Sequence, residues 1–208
     1  MKNKIDLIIF DLDGVLIDSK KNMLFSWRKV KKKFNLSQDF IKYSKYVGLP
    51  FNVILKKIGV YSDSLLIKKY YFKYSNQNIQ NIKLFKDSKK FMNFLKKKNK
   101  KIAIFTSKDK IRSAKIIKKL NIHIDYFLSS EQIAYPKPSG YGIKKICSYF
   151  GISNENTLYI GDTVFDYLSA KDSDVNYAHV NWGFKKVINK NVVRIKRFFE
   201  LRDFFNFS

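Results

Sequence analysis

The sequence contains a single cysteine, Cys147, which excludes an internal disulfide and is typical of proteins in a reducing compartment. It also lacks a long apolar run. The early run Leu7–Phe10 is too short for the core of a signal peptide, and no run approaches the roughly 18 residues needed to span a bilayer. These absences predict a cytoplasmic protein without a membrane segment. Hydrophobic residues make up 45% of the 208 residues, which is typical of a globular chain.

Arginine is scarce although the chain is strongly basic. The formal charge is +25, yet only five of the 42 basic residues are arginine. Proteins that recognise nucleic acids usually cluster arginine on one face, whereas the lysine runs at 31–33 and 96–98 are scattered along the chain. We therefore expect no specific nucleic-acid partner. The positive field would instead help to attract an anionic substrate such as a phosphate ester.

Short apolar runs that end abruptly at polar residues alternate with helical patterns. Their length predicts buried parallel strands at residues 5–10, 102–105, 157–160 and 175–180, with a last edge strand at 192–195. The apolar spacing predicts helices at 88–98, 110–120, 140–150 and 164–170, and a closing helix at 198–205. Strands that alternate with helices predict an α/β fold with a doubly wound parallel sheet.

The segment from 18 to 81 interrupts this alternation. Its patterns are helical, with breaks at Gly48, Pro50 and Gly59, and it contains no clear strand. We therefore predict a core domain formed by residues 1–17 and 82–208, with a helical domain of residues 18–81 inserted after the first strand.

Two carboxylates, Asp11 and Asp13, follow the first predicted strand. They would repel each other unless a cation neutralised them, and oxygen ligands of this kind suit Mg²⁺. Gly14 permits the tight turn that aims both side chains at one centre. Two acids that merely close a strand and cap a turn are an equally good explanation of this segment alone.

Further polar residues follow the other predicted strands. Thr106 and Ser107 end the second strand, where they can hold a phosphoryl oxygen or cap the next helix. Lys137 lies between two prolines that stiffen its backbone. Asp162 and Asp166 follow the third strand and are spaced to share one face of a helix, where negative charge also suits a helix N-terminus. Ligands of doubly wound sheets bind at the carboxyl ends of strands, so these segments predict a single site.

The four motifs, in this order, resemble those of the haloacid dehalogenase-like hydrolases, and the resemblance covers nearly the whole chain. They are the acidic pair with Gly14, the Thr-Ser pair, the proline-flanked lysine and the late acidic pair. The helical insertion resembles the small cap of the subgroup that includes phosphoglycolate phosphatase and β-phosphoglucomutase. Trp182 and Gly183 resemble a late segment of the phosphoglycolate phosphatase-like members. Val15 and Tyr135 stand where many members have Thr and Gly, but neither change removes a functional group.

The resemblance implies a magnesium-dependent phosphatase for a small soluble phosphate monoester. Asp11 would be the nucleophile that forms an aspartyl-phosphate, and Asp13 would protonate the leaving group and then activate water. Thr106, Ser107 and Lys137 would bind the phosphoryl group. The implied Mg²⁺ ligands are Asp11, Asp13 through its backbone carbonyl, Asp162, and Asp166 as a further ligand or as a partner of one.

Two alternatives remain open at this point. One is a phosphomutase of the β-phosphoglucomutase type, which needs the same two acids. The other is a non-catalytic binding protein on the same fold, which predicts the loss of at least one motif residue. Asp13, which the dehalogenases of the superfamily lack, favours phosphate esters. The cap residues expected near the substrate are Lys42, Tyr43, Lys45, Tyr46, Gly48 and Phe51, and the resemblance gives no rule for the oligomeric state.

Overall fold

A computed structural model describes residues 3–184 and 192–208. Its strands are β1 Leu7–Phe10, β2 Ile17–Asp18, β3 Lys83–Leu84, β4 Lys101–Thr106, β5 Tyr126–Ser129, β6 Thr157–Gly161, β7 Asn176–Val180 and β8 Val193–Ile195. Its α-helices are α1 Lys20–Lys33, α2 Phe40–Ser44, α3 Phe51–Lys57, α4 Ser64–Gln77, α5 Ser88–Lys97, α6 Lys110–Lys119, α7 Tyr141–Phe150, α8 Val164–Asp172 and α9 Leu201–Phe204. None of the helices in this described part of the chain is long and apolar enough to cross a membrane.

Six strands form one parallel sheet in the order β5-β4-β1-β6-β7-β8. The central strand β1 pairs with both neighbours in register, so that Phe10 lies opposite Ile104 of β4 and Ile160 of β6. The three strands therefore end at nearly the same level. The polar residues that follow them are brought to one edge of the sheet.

Both faces of the sheet are covered by helices, which confirms the predicted doubly wound architecture. Successive side chains of a strand point to opposite faces. Ile8 and Phe10 pack in a cluster with residues of α5, α6 and the C-terminal segment. Leu7 and Ile9 pack in a second cluster with residues of α7 and α8. Burial on both faces explains why these strands are continuous apolar runs rather than alternating patterns.

Apart from one-residue differences at strand ends, the strands of the six-stranded sheet differ from the prediction in two places. Strand β1 begins at Leu7 rather than at residue 5, because the backbone N–H of Ile5 donates to Asn206 of the C-terminal segment. Strand β5 was not predicted, although its apolar run ends at Ser129 and Ser130 as the other runs end at polar residues. The predicted closing helix is also shorter, since a 3-10 turn at Phe198–Glu200 precedes α9.

Residues 20–77 fold as the four helices α1 to α4 and have a hydrophobic cluster of their own. Trp27 stacks on Tyr43 with the ring centroids 4.6 Å apart, and its indole N–H donates to the carbonyl of Gln38. At the base of these helices, β2 and β3 form a short antiparallel pair that links the helical segment to the sheet. This pair was not predicted, and the domain boundaries at 18 and 81 stay a prediction.

Candidate active site

Asp11 lies directly beyond β1, and its backbone N–H donates to Ile160 of β6, so the strand end holds it rigidly. Its side chain is buried, and Oδ1 accepts a hydrogen bond from Lys137 at 2.7 Å. Oδ2 accepts no hydrogen bond from the residues that the structure describes, and Asp11 lines a cavity. Burial raises the pKa of Asp11 to about 7, against the lowering effect of Lys137. The carboxylate is thus placed to react with, or to bind, a molecule that occupies the cavity.

Lys137 is completely buried between two carboxylates. Its Nζ lies 2.7 Å from Oδ1 of Asp11 and 2.7 Å from Oδ1 of Asp166. Burial lowers the pKa of an ammonium group, but Asp11 and Asp166 outweigh this effect and raise the pKa of Lys137 above its ordinary value. The charged side chain therefore holds both acids in place.

Asp166 has its hydrogen-bonding capacity filled by the protein. Besides Lys137, Oδ1 accepts from the hydroxyl of Tyr159 at 2.7 Å, and Oδ2 accepts from the hydroxyl and the backbone N–H of Thr163. Thr163 is the N-cap of α8, so Asp166 closes a reciprocal capping pair. Burial raises the pKa of Asp166, but Lys137, Thr163 and Tyr159 outweigh it and hold the pKa below its usual range.

Asp162 precedes α8, which begins at Val164, so the expectation that Asp162 and Asp166 share one helix face was wrong. The loop after β6 places Asp162 separately, against two glycines. A Cβ atom at Gly14, where φ is +90°, would lie 2.2 Å from Oδ2 of Asp162, and one at Gly183 would lie 2.2 Å from its Cβ. The late Trp-Gly segment therefore makes room for this acid.

The two oxygens of Asp162 have different surroundings. Oδ2 accepts from the backbone N–H of Phe184 at 2.5 Å, whereas Oδ1 is buried and has no hydrogen-bond partner among the described residues. Burial first, and then repulsion from Asp166 and Asp11, raises the pKa of Asp162 well above its usual range. An unpartnered buried carboxylate oxygen is costly, so this position calls for a proton or a cation.

A divalent cation fits this acidic cluster. Asp11, Asp162 and Asp166 each offer a carboxylate oxygen, and these oxygens all lie within 4.8 Å of one another. A hard cation prefers such oxygens and would lower the electrostatic cost that raises the pKa of Asp11 and Asp162. Asp162 offers its free oxygen, whereas Asp166 is already saturated by its neighbours, which suits it better to orienting Lys137 than to ligation. The carbonyl of Asp13 as a ligand stays a prediction.

Thr106 ends β4 and Ser107 follows it, and both line the cavity together with Asp11. The Thr106 hydroxyl accepts from the backbone N–H of Lys108 at 3.2 Å. The Ser107 hydroxyl donates to the carbonyl of Gly48 at 2.6 Å, which joins the sheet to the helical segment. Ser107 therefore uses its hydroxyl to hold the helical segment against the sheet, and it lines the cavity at that junction.

The cavity between sheet and helical segment has a volume of about 50 Å³. Of the helical residues predicted to face it, Tyr43, Gly48 and Phe51 do line it. Lys42, Lys45 and Tyr46 do not line it, and their expected place near the substrate stays a prediction. They border a separate surface depression, because Tyr43 is the buried side of α2 and turns its neighbours outward.

Two basic residues in the cavity wall, Lys108 and Arg112, were not predicted. Nζ of Lys108 lies 3.0 Å from Oδ2 of Asp13, and Nε of Arg112 pairs with Asp109. Nothing in the sequence distinguishes Lys108 from the many other lysines of the chain. Arg112 could have been noticed, since arginine is rare in this sequence and Arg112 lies five residues after Ser107 of the second motif.

The chain matches the sequence model described as haloacid dehalogenase-like hydrolase over residues 8–180, which includes every motif residue of the site. The chain belongs to this family. The match confirms the resemblance drawn from the motifs and makes the protein an enzyme of the hydrolase class.

Individual relatives of this hydrolase agree with the family assignment. It is 27% identical over 187 residues to a phosphoglycolate phosphatase of Aquifex aeolicus, covering 87% of each chain. It is 23% identical over 189 residues to pyrophosphatase PpaX of Bacillus cereus, covering 88% of this chain and 86% of that one. The fold matches the crystal structure of a hydrolase from Pseudomonas syringae with a TM-score of 0.86 at 20% identity, covering 97% of this chain and all of the other.

Proposed function

We propose that this hydrolase is a magnesium-dependent phosphatase that cleaves a small phosphate monoester through an aspartyl-phosphate on Asp11. The observation that carries the proposal is the buried arrangement of Asp11, with Oδ1 held by Lys137 and Oδ2 free beside the cavity. The names of the relatives, phosphoglycolate phosphatase and pyrophosphatase, support phosphoryl chemistry.

In the proposed first step, Oδ2 of Asp11 attacks phosphorus and the bond from phosphorus to the ester oxygen breaks. Asp13, two residues on and also in the cavity wall, gives its proton to the departing oxygen. In the second step, Asp13 takes a proton from water, the water oxygen attacks phosphorus, and inorganic phosphate leaves with Asp11 restored. One difficult displacement is thereby divided into two.

Positioning and charge neutralisation are the main demands of phosphoryl transfer. Lys137 would offset the charge on Asp11 and on a phosphoryl oxygen, and Thr106 would hold another oxygen from the end of β4. Asp11 and Asp162 would hold the Mg²⁺, with Asp166 orienting Lys137 beside them. When bound, Mg²⁺ would neutralise negative charge on the transferring phosphoryl group.

We further propose that residues 18–81 act as a cap domain over this site. Tyr43 and Phe51 line the cavity from the helical side, and the Ser107–Gly48 hydrogen bond closes its edge. Such a cover excludes water from the reaction.

The protein is proposed to act in the cytoplasm, where its single thiol, Cys147, would stay reduced. This thiol is free and buried.

The test is a phosphate-release screen over phosphoglycolate, pyrophosphate, sugar phosphates and nucleotides, with Mg²⁺ and with excess chelator. We expect release that requires Mg²⁺ and disappears in Asp11→Asn. The matched control is Asp174→Asn, at an exposed position whose backbone φ of +54° suits Asn equally well. Borohydride reduction during turnover should mark the peptide that contains Asp11.

Release that survives chelation, or that persists in Asp11→Asn, would contradict the mechanism. Isomerisation of a hexose 1-phosphate without release of phosphate would instead identify a phosphomutase.

A further inference from the structure

Two buried cations, Lys108 and Arg112, line the cavity. Lys108 is 8% exposed and Arg112 is 5% exposed, and both line the cavity together with the helical residues Tyr43 and Tyr71. Buried cations are rare unless they are paired. Their partners therefore show whether the protein itself satisfies them.

Lys108 has one acidic partner. Its Nζ lies 3.0 Å from Oδ2 of Asp13, and no other carboxylate of the described residues lies within 4 Å of it. An ammonium group has three N–H donors, and no hydrogen bond from Nζ to a second described residue satisfies the others. Lys108 therefore has donor capacity left over at the cavity wall, next to the residue proposed to protonate the leaving group.

Arg112 is held in a fixed orientation by three contacts. Nε donates to Oδ2 of Asp109, and the guanidinium lies 3.9 Å from the ring centroid of Phe72 and 5.5 Å from that of Tyr71. Asp109 is the N-cap of α6, and its Oδ1 also accepts the backbone N–H of Arg112. The carboxylate of Asp109 is thus shared between the Arg112 side chain and the backbone N–H groups at the start of α6.

The outer N–H groups of Arg112 have a neutral contact with the Tyr71 hydroxyl and no acidic partner among the described residues. A guanidinium presents five donors in a planar fork, and Nε is the one that Asp109 takes. No carboxylate of the described residues pairs with the Nη groups. The stacked rings hold the fork rigid, which reduces the entropy lost when it binds a planar or tetrahedral anion.

The rest of the wall offers little to a neutral polar ligand. Tyr43 donates its hydroxyl to Tyr71 at 3.0 Å, so this pair is largely satisfied internally. The remaining helical lining is apolar, with Met23, Leu49, Phe51 and Ile54. A polyol hydroxyl can accept a hydrogen bond from these donors but leaves both positive charges uncompensated, whereas an anion brings acceptors and also offsets the charge. The cavity of about 50 Å³ also favours a compact group.

Building on the proposed phosphatase function, we infer that Lys108 and Arg112 bind a second negatively charged group of the substrate. The substrate class is a phosphate ester or anhydride with few heavy atoms whose leaving group carries a carboxylate or a second phosphate. Lys137 and Thr106 serve the transferring phosphoryl group, and Lys108 and Arg112 serve the other anion.

The test compares pairs of substrates that share the transferring phosphoryl group and differ in whether the other end carries a negative charge. Phosphoglycolate and ethyl phosphate differ in a carboxylate, and pyrophosphate and methyl phosphate differ in a second phosphoryl group. We expect kcat/KM of wild-type protein for one of the anionic substrates to exceed that for its neutral partner by roughly 100-fold or more, as for sites built around a buried polar partner. The pair that shows this ratio identifies the anion.

Variants then assign the preference to residues. Arg112→Met should reduce the ratio at least tenfold, Arg112→Lys should reduce it less, and Lys115→Met, at an exposed position of the same helix, should leave it unchanged. Thermal unfolding of each variant checks that it is folded. A ratio near one in wild-type protein, or a ratio that survives in folded Arg112→Met, would overturn the inference.

Binding measurements distinguish a failure of this inference from a failure of the proposed phosphatase function. Calorimetry with Asp11→Asn protein, which should not turn over substrate, measures the affinity for each matched pair. If no substrate is hydrolysed but the anionic member still binds at least tenfold more tightly, the phosphatase function fails and the subsite stands. If substrates are hydrolysed but neither the affinities nor kcat/KM differ within the pairs, the subsite fails and the phosphatase function stands.

Discussion

Nζ of Lys137 lies 2.7 Å from Oδ1 of Asp166, and both side chains are completely excluded from solvent. The same ammonium group also contacts Asp11 on the other side. Through this bridge, an acid at the start of α8 determines the position of a cation beside the proposed nucleophile. In the proposed mechanism, Asp166 would therefore act on the reaction through Lys137.

Replacing Lys137 by Met should reduce both activity and stability. Removal of one partner of a buried ion pair leaves uncompensated charge and costs about 3–5 kcal/mol of unfolding free energy. The loss of a phosphoryl-binding cation should lower kcat by about 100-fold or more. Denaturant titration and phosphate release measure the two effects. Lys145→Met, at an exposed position of α7, is the control, and unchanged activity in Lys137→Met would contradict the role.

The two late acids should differ in their effect on metal affinity. Asp162→Asn removes the unpartnered oxygen and should weaken Mg²⁺ binding by roughly 10–100-fold. Asp166→Asn should change affinity much less but lower kcat, because it releases Lys137 from one of its two anchors. Calorimetric titration with Mg²⁺ decides between them. Equal losses of affinity would make Asp166 a ligand after all.

Magnesium binding should release protons near neutral pH. Burial raises the pKa of Asp11 to about 7 in the metal-free protein, so the carboxyl is largely protonated below that pH and must ionise when a cation binds. Affinity should therefore rise as the pH rises through about 7. Titrations in two buffers of different ionisation enthalpy measure the protons released, and none released at pH 6.5 would contradict the prediction.

The same raised pKa affects folding in the absence of metal. Between the unfolded pKa of about 4 and the folded value of about 7, the native state binds more protons at Asp11 than the unfolded chain. The contribution of Asp11 to stability is thus present at low pH and lost as the pH rises through this window. Denaturation of metal-free protein should show this slope, and Asp11→Asn should reduce it.

Asp13→Asn should separate the two chemical steps. An amide cannot protonate an alkoxide, so turnover of ethyl phosphate should fall by roughly 100- to 10,000-fold. With p-nitrophenyl phosphate, whose leaving group needs little protonation, one equivalent of p-nitrophenolate should appear in a burst and the phosphorylated enzyme should accumulate. Stopped-flow absorbance measures the burst. Asp18→Asn, at an exposed position, should keep steady turnover, and a missing burst in Asp13→Asn would contradict the assignment.

Local sequence was sufficient to predict most of the sheet and the site residues that follow its strands. A buried parallel strand appears as an apolar run that stops at a polar residue, and β1, β4 and β6 all show this pattern. The carboxyl ends of parallel strands share one edge, so the convergence of Asp11, Thr106 and Asp162 followed from topology alone.

Other features depend on partners that are distant in the sequence. Strand β2 is only two residues long, too short to show a pattern, and it exists because β3 pairs with it from 65 residues away. The hydroxyl of Ser107 is engaged by Gly48, and the free oxygen of Asp162 is defined by Gly14, Gly183 and Phe184. None of these relationships is encoded in the spacing of neighbouring residues.

By itself, the sequence determined the doubly wound sheet, the inserted helices and the identity of the acids at the strand ends. The tertiary structure decided which of those acids has its hydrogen-bonding capacity filled by the protein. Asp162 and Asp166 are the same residue type in the same motif, yet one keeps an unpartnered oxygen and the other is saturated by Lys137, Tyr159 and Thr163. Chemical type is a local property of the chain, whereas solvation and hydrogen bonding depend on what folding brings alongside. The same reason explains why Lys108, one lysine among many, differs from the others only through its contact with Asp13.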